Sequence, residues 1–182
     1  MDKDIERVLF TEEEIQQNIK RLGEEISRDY EGKNLLLVCI LKGSLVATAD
    51  LMKNITIPCC LDTMVVATYD KTHSTGAIKV LKDLDHDMLS KFDVLIVEDI
   101  IDSGFTLNYL KEALANRAPR SLKILTMLDK PTGRAEGITL KPDYTGMTFT
   151  GGFVVGYGLD YDQYYRNLPY IGILKESVYS GK

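Results

Sequence analysis

The residues best suited to do chemistry lie in one stretch. A run of branched apolar residues, Val94 to Val97, leads into two adjacent acids, Glu98 and Asp99; Ile100 and Ile101 follow, then Asp102 and Ser103-Gly104-Phe105-Thr106, which opens a segment of helical spacing. A helix start offers unpaired N–H groups and the positive end of a dipole, and Ser103, Gly104 and Thr106 add hydroxyls and a close backbone approach. The stretch therefore reads as a phosphate cradle. Neither the Gly-x-x-x-x-Gly-Lys-Ser/Thr loop of triphosphate sites nor the Gly-x-Gly-x-x-Gly of dinucleotide sites is present. What distinguishes it is three carboxylates beside an anion site. In isolation Asp102 or Ser103 could simply cap a helix. Glu98 and Asp99, however, close a strand at what should be the carboxyl edge of a parallel sheet, where open α/β folds bind ligands, and acids there suit sugar hydroxyls or a hydrated divalent cation.

The elements that must position these residues are legible as an alternation. Thr11-Glu12-Glu13-Glu14 is a capping box, and Ile15, Ile19, Leu22 and Ile26 fall on one face of the helix it opens, which should end near Gly32. Four apolar runs rich in Val, Ile and Leu read as buried strands: 35–40, 64–67, 94–97 and 122–128. Segments 44–53 and 106–116 carry helical spacing, each directly after a glycine turn, Gly43 and Gly104. This predicts an α/β fold, a mostly parallel sheet flanked by helices. The final third changes character, with short strand-like pieces at 153–155 and 171–174 and turn signals at Pro131, Gly133, Pro142, Gly146 and Gly151-Gly152. We expect a single domain over residues 1–182, with a core of about 30–130 and a small β-rich lobe mainly over 131–182. The polar segment 70–76 is either a plain hairpin loop or a mobile lid.

Composition narrows the classes. Among 182 residues, 22 Lys and Arg stand against 27 Asp and Glu, a net charge of −5, so no overall positive field draws the chain to nucleic acid or acidic lipid. Hydrophobic residues at 45% and charged residues at 27% are globular composition, and no apolar run approaches the ~18 residues of a membrane span. The charged N-terminus lacks the features of a secretory signal, and Cys39, Cys59 and Cys60 form neither a Cys-x-x-Cys nor a zinc-spaced cluster. A cytoplasmic protein is expected, with Cys39 a small buried hydrophobe rather than a reactive thiol.

The stretch Val94 to Leu107 resembles the signature of the type I phosphoribosyltransferases, and Glu98-Asp99-Ile100-Ile101-Asp102-Ser103-Gly104 is similar to its hypoxanthine/guanine branch. Leu41-Lys42-Gly43-Ser44 resembles that branch's pyrophosphate loop, and Lys141-Pro142-Asp143-Tyr144, Phe153 to Tyr161 and Arg166 to Tyr170 resemble its purine-binding and C-terminal segments. The resemblance covers nearly the whole chain in order. It implies transfer of the phosphoribosyl group of 5-phosphoribosyl 1-diphosphate to N9 of a 6-oxopurine, hypoxanthine or guanine, releasing pyrophosphate.

It also implies roles. Asp102, Ser103, Gly104, Phe105 and Thr106 would hold the 5-phosphate, Glu98 and Asp99 the ribose hydroxyls, and Asp102 would be the general base at purine N7. Lys42, Gly43 and Arg166 would meet pyrophosphate, the Leu41–Lys42 peptide being cis in the family. Lys141 would donate to the 6-oxo group, Phe153 would stack on the base, Val154 would contact its edge through the backbone, and Asp160 would complete that site. Mg²⁺ is the implied cofactor, with Glu98, Asp99 and Asp160 as its ligands, and Thr68-Tyr69 would open a flexible catalytic loop running to Lys79. Family members commonly form dimers or tetramers. Two other readings stay open: an RNA-binding attenuation regulator of the same fold, against which the acidic charge argues, and a phosphoribosyltransferase for xanthine, adenine or a pyrimidine.

Overall fold

The computed structural model describes residues 1–69, 77–85 and 89–180, with the backbone alone at 68, 69 and 77. Strands β2 (Leu35–Leu41), β3 (Cys59–Tyr69), β4 (Ala77–Lys82), β5 (Asp93–Ile101), β6 (Ser121–Asp129) and β7 (Tyr144–Thr148) form one sheet in the order β4-β3-β2-β5-β6-β7. All neighbours are parallel except β3 and β4. The continuous apolar runs are explained by burial on both faces. Leu35 and Leu37 pack on one side with helices α1 (Glu12–Asp29) and α2 (Leu45–Asn54), while Leu36 and Val38 pack on the other with Leu107, Leu110 and Leu114 of helix α3 (Phe105–Ala115). The parallel sheet flanked by helices is thus as expected.

Local signals decide where elements begin. Thr11 Oγ1 accepts from Glu14 N at 3.2 Å and Glu14 Oε2 from Thr11 N at 2.8 Å, so the capping box opens α1. Ile15, Ile19, Leu22 and Ile26 are its buried stripe, and Gly32 follows the helix in a left-handed turn at φ +73°. Cys39 is buried within β2, Cys59 is half-buried and Cys60 exposed, all three as free thiols.

Three strands lie beyond the sequence signal. The third strand begins at Cys59, well before the apolar run 64–67, because its first half carries Asp62, a buried carboxylate that accepts from Asp85 N at 2.8 Å and lies 3.5 Å from Lys82 Nζ. Tyr144–Thr148 adds a parallel edge to the large sheet rather than to a separate lobe; an ideal Cβ on Gly146 would lie 2.6 Å from the Met127 carbonyl, so this strand rides close against β6. The small antiparallel sheet pairs strand β1 (Ile5–Phe10) with β9 (Ile171–Leu174), and β9 with β8 (Val154–Val155). Register shifts break the apolar alternation of β1, which hid it. Among the described residues no helix is long and apolar enough to cross a membrane.

Candidate active site

The chain leaves β2 toward β3 on one side and returns with β5 on the other, so the loops after β2 and β5 diverge and open a crevice at the strands' carboxyl ends. Three segments meet there without room for a side chain. An ideal Cβ on Gly43 would fall 1.5 Å from Asp99 Oδ2, and one on Gly158, at φ +100°, would fall 2.1 Å from the Gly43 carbonyl oxygen. The Leu41–Lys42 peptide is cis. Lys42, Gly43, Glu98, Asp99, Asp102, Ser103, Gly104, Thr106, Asp160 and Arg166 line a cavity of about 350 Å³ in this crevice. Phe105 does not line it, and its ring is exposed. Gly104 is the N-cap of α3 at φ +80°, and no side chain caps the helix. The capping alternative for Asp102 and Ser103 therefore falls away, and the first turn of α3 keeps donors for an anion.

Burial raises the Glu98 carboxyl well above the usual range, and the neighbouring Asp99 adds to it. Burial raises Asp99 too, while Glu98, the Ile100 N–H and the Arg166 charge oppose the shift. Glu98 Oε2 is buried with no hydrogen-bond partner among the described residues. Such an acid pair costs stability until a ligand supplies partners. Glu98→Gln should therefore raise Tm without ligand at neutral pH by roughly 2–4 °C, about 1 kcal/mol. Because the folded-state pKa lies above the unfolded one, the wild type loses stability as pH rises through the folded value; the difference between the two proteins should vanish below about pH 4. Melts across pH check both the size and the sign.

Among the described residues no three of His, Cys, Asp or Glu converge to hold a metal ion, so Glu98, Asp99 and Asp160 do not form a ready cage. That still suits Mg²⁺, which keeps several waters and takes one or two carboxylates plus substrate phosphates.

Asp160 and Arg166 form an ion-paired wall of the first cavity. Arg166 Nη2 lies 2.8 Å from Asp160 Oδ1, Nη1 donates to the Gly158 carbonyl at 2.7 Å, and Nε is buried without a partner among the described residues. Gln163 Oε1 accepts from Lys42 Nζ at 3.1 Å and from Arg166 Nη2 at 3.4 Å, bridging the two cations expected at pyrophosphate. Asp162, Gln163 and Tyr165 hold this arc with positive φ, a costly conformation for residues other than glycine.

A second cavity of about 250 Å³ shares Asp99, Ile100, Asp102 and Asp160 with the first and is otherwise lined by Lys130, Phe149, Gly152, Phe153, Val154 and Leu159. Phe153 is braced by Tyr179 (ring centroids 5.3 Å apart, 29° between planes) and by the edge of Tyr161 at 5.6 Å. Lys130 Nζ stands 3.3 Å from Asp102 Oδ2. Lys141, expected at the base, does not line the cavity of Phe153. Lys141 lines a different cavity with Pro131, Ile138 and Thr139, because it precedes β7, whose first residue pairs with Leu125, well short of the strand end at Asp129. The lysine facing Phe153 follows β6 instead. Of the loop expectation, β3 and β4 form an antiparallel pair with Tyr69 opposite Ala77. The side chains of Thr68 and Tyr69 and residues 70–76 lie outside the described residues.

Sequence reasoning missed Lys130, Arg134 and Gln163. Asp129-Lys130 ends a buried parallel strand just as Glu98-Asp99 nearly ends its neighbour, a signal that could have found Lys130. Nothing local in the sequence marks Arg134 or Gln163.

The phosphoribosyl transferase domain family matches residues 9–162. The hypoxanthine-guanine phosphoribosyltransferase of Lactococcus lactis is 50% identical over 181 residues, 99% of this chain and 97% of its own. That of Bacillus subtilis is 49% identical over 180 residues, 98% of each chain. The crystal structure of a hypoxanthine phosphoribosyltransferase from Staphylococcus aureus superimposes with a TM-score of 0.93 at 46% identity, covering 98% of this chain and 96% of that one. A phosphate cradle and an aromatic-walled cavity sharing one acidic wall are thus found in a chain whose relatives match it end to end, and the chain belongs to the phosphoribosyltransferase family, in its hypoxanthine/guanine branch.

Proposed function

We propose that this protein transfers the phosphoribosyl group of 5-phosphoribosyl 1-diphosphate to N9 of hypoxanthine or guanine, forming the nucleoside 5′-monophosphate and pyrophosphate. One observation carries the reading: the cavity with the cradle and the cavity with Phe153 share the wall that holds Asp102. A sugar phosphate in one can meet a flat base in the other with a carboxylate between them. The cradle residues Asp102, Ser103, Gly104 and Thr106 hold the 5-phosphate, and Glu98 and Asp99 take the ribose hydroxyls.

As the C1′–O bond to pyrophosphate loosens, N9 bonds to C1′ and the purine N7–H proton passes to Asp102. Negative charge collecting on pyrophosphate is met by Arg166, Lys42 and the backbone at Gly43. Bound Mg²⁺, held by Asp160 and the acid pair with substrate oxygens, would add charge neutralisation there. N7 and the 6-oxo oxygen lie on one edge of a 6-oxopurine. An acceptor and an ammonium 3.3 Å apart, Asp102 and Lys130, match that edge, whereas Lys130 has no acceptor for the amino group of adenine.

The test is to incubate the protein with Mg²⁺, 5-phosphoribosyl 1-diphosphate and each purine separately. Nucleotide should form from hypoxanthine and guanine, with adenine far behind, and excess chelator should slow the reaction. Equal turnover of adenine, or full turnover in chelator, would overturn the corresponding part.

A further inference from the structure

The segment after β6 folds back under the cradle, and its donors take the cradle's carbonyls. Arg134 Nη1 donates to the carbonyl oxygens of Ile101 at 2.7 Å and Asp102 at 2.8 Å. Lys130 N donates to the Ile101 carbonyl at 3.0 Å and Ala135 N to the Ser103 carbonyl at 3.1 Å. In a trans peptide the C=O of one residue and the N–H of the next point in opposite directions. Tying the carbonyls of Ile101, Asp102 and Ser103 to this segment therefore turns the N–H groups of Asp102, Ser103 and Gly104 away from it. None of those three N–H groups meets another described residue, and all three residues line the cradle cavity.

The guanidinium is built in. Arg134 and Asp129, its ion-pair partner through Nη2, are each about one-sixth exposed at 15% and 16%. Arg134 Nη1 also reaches the Lys130 carbonyl at 3.4 Å, and an ideal Cβ on Gly104 would come within 3.5 Å of Arg134 Cδ. Arginine suits this place because its planar fork can serve several carbonyls at once while staying ionised.

We propose that Arg134 is a positioning residue for phosphate: by holding two consecutive carbonyls of the cradle, it aims the cradle's N–H groups at the 5-phosphate. It touches no substrate in this role. The inference rests on the reading of the cradle as the 5-phosphate site.

The test compares a nucleoside 5′-monophosphate, IMP, with its nucleoside, inosine, by calorimetric titration of wild type, Arg134→Ala and Arg134→Lys. The ratio of the two affinities reports the phosphate alone and is independent of the folded fraction. Wild type should prefer IMP strongly. Arg134→Ala should lose at least tenfold of that preference, with KM for 5-phosphoribosyl 1-diphosphate rising in step, and free guanidinium should restore part of both. Arg134→Lys keeps the charge with one donor nitrogen and should fall between; it carries the test if the alanine variant does not fold. An unchanged ratio in either folded variant, with only Tm lowered, overturns the proposal. A wild type that does not distinguish IMP from inosine would instead overturn the cradle reading itself.

Discussion

Asp102→Asn should lower kcat by ~10²–10⁴-fold while KM for 5-phosphoribosyl 1-diphosphate changes little, because general-base catalysis typically contributes that factor and the amide cannot take a proton. The substitution keeps size and leaves α3 intact, since Gly104 and no side chain forms the helix cap. It keeps the backbone that faces the cradle, whose carbonyl at residue 102 is held by Arg134. It also keeps contact with Gly133, where an ideal Cβ would fall 1.5 Å from Asp102 Oδ1, so a larger residue would not fit. What it loses is the charge beside Lys130, an exposed pair worth at most ~1 kcal/mol. Steady-state kinetics with thermal melts separate the roles. A kcat within a factor of about three of the parent would mean the N7 proton leaves by another route.

That prediction could be framed from sequence because the cradle is a local object. Strand, acids, turn glycine and helix start follow one another from Val94 to Thr106, and the physics that makes them a site, a sheet edge and a helix N-terminus, is short-range. The parallel order was legible for a similar reason: runs such as 35–40 are apolar at every position, which only a strand covered on both faces requires. The small sheet was half legible. Val154-Val155 and 171–174 show as apolar runs, but the third strand, Ile5–Phe10, which pairs with 171–174, comes from the other end of the chain and carries exposed Glu6 and Arg7.

The base cavity shows where one-dimensional reading stops. Phe153, Val154 and Asp160 fell together because they are neighbours in sequence, whereas the cavity's lysine comes from a separate strand end. Lys141 sat beside a convincing Pro-Asp-Tyr, but β7 pairs with β6 in a register that leaves it short of the crevice, and register is a tertiary fact. Gln163 is similar: it bridges Lys42 and Arg166, and its bond to Lys42 spans 121 positions, through left-handed backbone that composition does not announce.

The two lysines now make opposite predictions. Lys130→Met keeps the aliphatic length but removes every donor, so a charge-assisted hydrogen bond to the 6-oxo group, worth roughly 1.5–3 kcal/mol, should be lost. The expected result is a fall of roughly 10–100-fold in kcat/KM for hypoxanthine and guanine, with KM for 5-phosphoribosyl 1-diphosphate little changed and discrimination against 6-aminopurine narrowed. Lys141→Ala should leave all of these within about twofold, as for an exposed side chain away from the site. Because Lys130 stands beside Asp102 and the two address one edge of the base, their effects should not add. The double variant Lys130→Met/Asp102→Asn should lose less than the product of the single losses. A full product would mean the two side chains act on separate features of the substrate. A large loss on Lys141→Ala with none on Lys130→Met would return the 6-oxo contact to Lys141 and require the segment before β7 to move into the crevice when substrate binds.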